Sequence, residues 1–409
     1  MARQRDMLSG IRVVDFSWVG VGPVTTKYLA DHGAEVIRIE SLDRPDTLRR
    51  AAPFVGGVPG YERSGHFFNL NSSKKSLCLD MAHPEARAVA RQLIERSDVV
   101  AESFTSHVMS GWELDYEHVR AFKPDIIYIS MSMEGRTGSH KDHLGFGTAL
   151  QAMAGYSQIT GWPDRGPIIP SIPYTDWMVP QLAAFSLLSA VEHRRVTGEG
   201  QWIDLSQLEA GMQGLGAMLL DASINGQDAG RIGNRDRYAG RAPHGSYRCS
   251  GDDRWIAIVV HDDADWARLA QLMAADGVQD AGDPRWCSGA QRRQQQDELD
   301  RLVESWTCQH EAQQLMHRLQ QAGMDAGVVQ NQQEVTDDPQ LVHRGHAQPV
   351  DHPEVGVQAY DSYAFRIDGE ATQLGPAPLL GQHTRDVLID LLGYSEQQVI
   401  DLIEAGATI

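Results

Sequence analysis

The strongest constraint on this chain is an alternation repeated from residue 11 to residue 135. Short β-branched runs leave through glycine or polar residues, and helical stretches carry the chain back. IRVVDF (11–16) exits through WVGVGP into VTTKYLADHG and returns as AEVIRIE (34–40). SLCLDM follows Lys74 and Lys75, a helical pattern spans His83–Ser97, and DVVAESF (98–104) and PDIIYISMSMEG (124–135) complete the series. Runs apolar at nearly every position are strands buried on both faces, and strands separated by helices pair in parallel. The prediction is an α/β fold whose doubly wound sheet is covered by helices on both sides. Its loops at the strands' C-terminal ends are where such sheets bind ligands. Gly20 and Gly22 imitate a dinucleotide fingerprint with Glu40 as the ribose acid, but Pro23 and Thr25 interrupt it. A fingerprint without its third glycine does not bring a pyrophosphate onto the helix, so a nicotinamide cofactor is not expected.

A second informative stretch is Pro170–Gly200. Trp177–Val191 reads as a buried helix, with Thr175 and Asp176 at its N-terminal edge and Pro180 tolerated in the first turn. Asp176 there is either a helix cap or an ionised carboxylate, held by orphan N–H groups and free to act as a nucleophile. The residues alone leave both readings open.

TGEGQWIDLSQLEA then supplies a strand (Gln201–Leu205) and a helix, and glycine-rich sequence from Asn225 to Gly245 marks a boundary. From about Tyr247 to Val329 a hairpin (GSYRCS and RWIAIVV around Gly251-Asp252-Asp253) and helices at Asp265–Asp276 and Arg292–Thr307 predict a small α+β domain. Strand-like GVQAYDSYAFRI and two terminal helices follow, whose apolar faces must dock on the first domain. The expected layout is 1–224 for the large α/β domain, 225–245 for a linker, 246–330 for the small domain, and 331–409 for a linker and a C-terminal return.

A net charge of −19 with no basic run argues against nucleic-acid binding. Anionic substrates then need locally placed cations, and the aperiodic loop Ser41–Gly65 carries Arg44, Arg49, Arg50 and Arg63. His140 and His143 lack a third ligand at a supporting spacing, so they are read as surface or hydrogen-bonding residues and no metal is expected. Four cysteines without a CxxC pair fit a reducing compartment, and MARQRDMLSG is neither signal peptide nor membrane span. A soluble cytoplasmic protein is expected.

Taken together, LSGIRVVDF, GP, LADHGAEVIRIE, NLNSSKKSLCLDM, SDVVAESF, PYTDW with its helix and TGEGQWIDLSQLEA, and PLLGQHTRDVL…LGYS resemble the class III CoA-transferases over nearly the whole length. That family includes formyl-CoA:oxalate and carnitine CoA-transferases. The resemblance implies two chains linked like rings, each with a Rossmann-like large domain built from both chain ends and a smaller domain between. It implies that Asp176 is the catalytic nucleophile, passing through an aspartyl anhydride and an aspartyl-CoA thioester. A coenzyme A thioester is then a substrate, with no tightly bound cofactor. Gly135 or Gly240 would stabilise oxyanions. The CoA-contacting positions fall on Gly20, Val21, Ser41, Leu79, Ser103 and Phe104. Glycine at 20 and serine at 41 stand where familiar members carry glutamine and arginine, so Lys74, Lys75, Arg136 and Lys141 are the candidates for phosphate charge.

FSWVGVGP and SMSMEGRTG look most like the subgroup using succinyl-CoA and substituted dicarboxylates such as benzylsuccinate. Arg49 or Arg50 would hold the free carboxylate of such an acid. Partners implied are an acyl-CoA, a carboxylic acid, and a second chain, identical or related. Two alternatives share the fold: a 2-methylacyl-CoA racemase or epimerase, and a non-catalytic CoA-binding subunit. The racemase needs a His/Asp proton shuttle, and its histidine position holds Phe146.

Overall fold

A computed structural model describes residues 7–409, so the first six residues of the N-terminal reading lie outside it. Six strands form one all-parallel sheet in the order β3-β2-β1-β4-β5-β6. They are β1 (Arg12–Asp15), β2 (Glu35–Glu40), β3 (Lys75–Cys78), β4 (Val99–Glu102), β5 (Ile127–Ser132) and β6 (Gln201–Ser206). Val14 pairs with Ile37 on one side and Val100 on the other, which fixes the register that a one-residue slip would invert. The order reverses between β1 and β4, and the crevice outside that switch point is where an open sheet binds ligands.

Alternate side chains feed two cores. Val14, Ile37, Leu77, Val100 and Tyr128 pack with Val89, Ala90 and Leu93 of the Pro84–Glu95 helix and with Val387, Leu388 and Leu402 from the chain's end. Val13, Val36, Val99 and Ile129 pack instead with the Val21–Asp31 helix and with Val179, Ala183 and Leu187 of the Tyr174–Thr197 helix. Each fully buried Val or Leu contributes about 1.5–3 kcal/mol, enough to hold the Asp176-bearing helix on the sheet. The C-terminus is tied to β3 by hydrogen bonds from Asp80 N to Ala407 O (2.9 Å) and from Thr408 Oγ1 to Cys78 O (2.5 Å).

The chain divides into two compact units. One holds the chain up to Ser157, Ile169–Asp228 and Pro339–Ile409, including the antiparallel ribbon β10 (Ala347–His352) and β11 (Gly356–Asp361). The other comprises Gln158–Ile168 and Ala229–Asp338. Most of the expected 225–245 linker therefore belongs to the second unit, as does a short segment near residue 160 that carries no distinguishing pattern. Within that unit β7 (His244–Arg248), β8 (Trp255–Val259) and β9 (Asp325–Val328) form an antiparallel sheet over fully buried Trp286, Trp306 and Leu299. The single helix expected over Arg292–Thr307 is two, Gly289–Gln294 and Gln296–Thr307. Arg292 is buried and donates to the carbonyls of Ala242 and Trp286 and to Asp263, which holds the break in place.

Candidate active site

The Tyr174–Thr197 helix begins three residues before Trp177, so Asp176 lies inside its first turn rather than at the cap. Its N–H bonds to Pro173 O at 2.9 Å. Pro180 then falls in the second turn, four residues after Asp176. It removes the N–H that would bond the Asp176 carbonyl, a local loosening of the helix at this residue.

Two glycines from other elements close around the Asp176 carboxylate. A Cβ built on Gly147 would lie 2.2 Å from Asp176 Oδ1, and one on Gly20 would lie 3.1 Å from Oδ2. Gly20 caps the Val21–Asp31 helix and Gly147 opens the Gly147–Met153 helix, so three helix N-termini converge on one carboxylate. Their first N–H groups lack intrahelical partners and favour negative charge. Among the described residues, the carboxylate's hydrogen-bond partner is Thr175 Oγ1, at 3.4 Å. Burial therefore dominates and pushes the carboxyl up to about 6, with Thr175 opposing weakly. The expected carboxylate held by orphan N–H groups is thus one whose acidity is set chiefly by desolvation. At neutral pH it is still mostly ionised.

Asp176 faces a cavity of about 390 Å³ at the C-terminal ends of β1, β4 and β5. Gly20, Val21, Ser103, Phe104 and Lys141 line it with Asp176, which among the described residues is its only carboxylate. Ser41 and Leu79 line an adjacent cavity of about 430 Å³, and Trp18, Phe104 and Val108 wall both. Trp18 and Phe104 meet edge-on at 5.6 Å, forming an aromatic partition along this groove. The second cavity also contains Arg44, an exposed arginine of the 41–65 loop.

Other candidates lie elsewhere. Lys74 is buried and donates to Asp15 (3.1 Å), Pro23 O and Asn71. Burial lowers it to about 8 although Asp15 opposes, and its ammonium is not presented to either cavity. Lys75 opens β3 at the opposite end of the sheet and pairs with Glu35 at 2.6 Å. Arg49 is fully buried, bidentate to Glu40 (2.9 and 2.8 Å), bonded to Glu62 and stacked 3.6 Å over Phe67. Burial would raise Glu40, but Arg38 and Arg49 prevail and hold it at about 2. Glu40 is thus a sealed ion-pair partner, not a ribose ligand.

Arg50 is exposed and donates to Tyr61 Oη at 2.9 Å, on the same turn as cavity-lining Thr47. Arg136 pairs with the buried Glu102, beside a separate cavity of about 190 Å³. Gly135 has φ +89° and lies beneath Ser206 and Asp204, outside the Asp176 cavity. Gly240 belongs to the second unit, where its carbonyl accepts from Arg293 at 2.9 Å. Gly22 abuts Ser17, where a Cβ would sit 2.1 Å from the serine's own, so its role is packing.

Gly147 went unnoticed in the sequence because LGFGTAL fits no motif. The one available signal was its place beside Phe146, which lines the cavity from the N-cap of its helix. Glu134 was also missed: its carboxylate reaches both His140 and His143, each through Nδ1 at 3.1 Å.

The model for "CoA-transferase family III" matches residues 8–384. The chain is 32% identical over 396 residues to the succinyl-CoA–D-citramalate CoA-transferase of Chloroflexus aurantiacus, covering 96% of each. It is 27% identical over 396 residues to the succinyl-CoA–L-malate CoA-transferase alpha subunit of Chloroflexus aurantiacus, covering 96% of this chain and 90% of that one. Among solved structures, a CaiB/BaiF family protein from Brucella suis superposes with a TM-score of 0.84 at 28% identity, over 94% of this chain and 99% of that one. Among the described residues no helix is long and apolar enough to cross a membrane. With the family model spanning the sheet, the cavity and the Asp176 helix alike, the chain belongs to CoA-transferase family III and is a CoA-transferase.

Proposed function

We propose that this enzyme moves CoA from succinyl-CoA to a substituted dicarboxylic acid, with Asp176 as the covalent nucleophile. The observation that carries the reading is a lone, glycine-walled carboxylate at the C-terminal edge of the sheet. An Asp176 oxygen attacks the thioester carbonyl, the C–S bond breaks, and CoA leaves as thiolate from a mixed anhydride. The thiolate attacks Asp176 Cγ and releases the donor acid, leaving an aspartyl-CoA thioester. The acceptor carboxylate attacks Cγ in turn, expelling the thiolate, which then attacks the acceptor's acyl carbon and frees Asp176. No proton or electron is gained or lost overall. Every intermediate is an activated acyl group that water would destroy, which fits a carboxylate already largely desolvated.

N–H groups at the starts of the Val21–Asp31 and Gly147–Met153 helices are suited to the oxyanions of these steps. Gly20, Val21, Ser103 and Phe104 would line the path of CoA, and Ser41 and Leu79 its far end. Arg44 and Lys141, which line the two cavities, would meet its phosphates, and Arg50 remains the candidate for the acceptor's far carboxylate. The relatives acting on citramalate and malate favour a small, branched or hydroxylated acceptor; benzylsuccinate is a bulkier member of the same class. A racemase would need a second proton carrier where Phe146 stands, which disfavours that reading. The enzyme would act as an interlocked dimer, with an identical or a related chain, in the cytoplasm.

The test is to incubate the protein with succinyl-CoA, trap with hydroxylamine, and map the adduct by peptide mass spectrometry. Modification at Asp176, absent from Asp176→Ala, is the expected result. No adduct with succinyl-CoA, whether alone or after adding a copurifying related chain, would overturn it.

A further inference from the structure

A carboxylate removed from water is normally paired with a cation or bound to a metal. Glu134, two residues beyond β5, has a side chain only 6% exposed, yet among the described residues neither lysine nor arginine touches it. Its partners are two imidazoles, His140 Nδ1 on Oε2 and His143 Nδ1 on Oε1, each at 3.1 Å. A backbone hydrogen bond from His143 N to His140 O (2.9 Å) folds the intervening turn and brings both rings to one side. The rings stack at 4.4 Å, 17° from parallel, and all three candidate ligand atoms lie within 4.8 Å of one another.

Hydrogen bonding alone accounts poorly for this arrangement. Hydrogen bonds from two imidazoles leave the buried carboxylate without a permanent counter-charge. One divalent cation satisfies all three groups by accepting both nitrogen lone pairs and neutralising the carboxylate. Tetrahedral ligands about 2.0–2.2 Å from zinc are separated by about 3.4 Å; each imidazole nitrogen here lies 3.1 Å from a different Glu134 oxygen, so a modest turn of the carboxylate and the rings brings both nitrogens to that distance from one oxygen. The imidazoles are more than half exposed and free to close the remaining edge. Two imidazoles and a carboxylate suit Zn²⁺ or Co²⁺ rather than Mg²⁺ or Ca²⁺.

We propose that Glu134, His140 and His143 form a binding site for one Zn²⁺-class ion, with a fourth position open to water. The ion ties the 134–146 loop to the end of β5. Lys141, His143 and Phe146 of this loop line the Asp176 cavity, so the site sits at its rim. The proposal does not depend on the transfer chemistry described above.

The test uses untagged full-length protein stripped with a chelator and titrated calorimetrically with Zn²⁺, with Co²⁺ as a spectroscopic substitute. One ion per chain is expected, with Co²⁺ d–d bands and no thiolate charge-transfer band. His140→Ala, an exposed position that leaves folding intact, should weaken binding by about tenfold or more, as should Glu134→Gln. Zn²⁺ should slow amide exchange across residues 134–146 in the wild type and in neither variant. No saturable binding at micromolar Zn²⁺, or binding of equal strength in both variants, overturns the site. Unchanged loop exchange despite binding overturns the tie.

Discussion

At the scale of single residues, the proposed chemistry rests on one carboxylate whose surroundings work against its charge. Burial raises Asp176 to about 6, so the ionised form of this proposed nucleophile is lost as pH falls through that value. The rate kcat/KM should drop about tenfold per pH unit below about 6 and level off above 7, read from a pH–rate profile. The same shift acts on stability. The folded state binds this proton more tightly than the unfolded chain, so its contribution is full below about 3.8 and disappears by about 6. Asp176→Asn should therefore abolish transfer yet stabilise the fold at pH 8 by about 2–3 kcal/mol, with the difference vanishing near pH 4 in urea titrations. The glycine walls allow a steric test at residues that carry no functional group. Gly147→Ala would put a methyl 2.2 Å from Oδ1, and Gly20→Ala one 3.1 Å from Oδ2. Gly147→Ala should lower kcat/KM by about a hundredfold and Gly20→Ala much less, measured in the transfer assay. Asp176 could be picked out from its motif; Gly147 could not, because its importance lies in what stands opposite it in space.

At the scale of elements, β2 and the loop after it show why arginines are hard to assign from sequence. Arg38, Glu40, Asp46 and Arg49 are all fully buried, linked side chain to side chain beneath Phe67. Arg49→Ala would leave Glu40 without its bidentate partner. It should cost about 3–5 kcal/mol in denaturant unfolding and leave the KM for the acid acceptor of the folded fraction unchanged. Exposed Arg44 and Arg50, from the same loop, remain available to ligands. Composition and spacing treat the three alike; only burial separates them. The strands were legible because a parallel sheet demands continuous apolar runs, and the observed bounds of the six parallel strands lie within three residues of the expected ones. The start of the Asp176 helix was less legible, because Pro170 and Pro173 obscure where helical geometry begins.

At the scale of the whole molecule, Trp177, Phe185 and Leu188 border an apolar cavity of about 780 Å³ and stay substantially exposed. Exposed apolar surface of this kind is what the proposed dimer would cover. Light scattering should give about 90 kDa, twice 45.2 kDa. Interlocked rings should hold that mass on dilution to nanomolar concentration, whereas a monomer near 45 kDa would contradict the proposed dimer. The sequence by itself determined the parallel sheet, the order of its elements and the identity of the nucleophile candidate. Those depend on periodicity and local motif, which are properties of neighbouring residues. Only the tertiary structure decided that Lys74 and Arg49 are sealed in ion pairs, that Gly20 and Gly147 enclose Asp176, and that Glu134 joins two histidines. Each of those facts depends on burial and on distances between segments far apart in the chain, and local pattern carries no record of either.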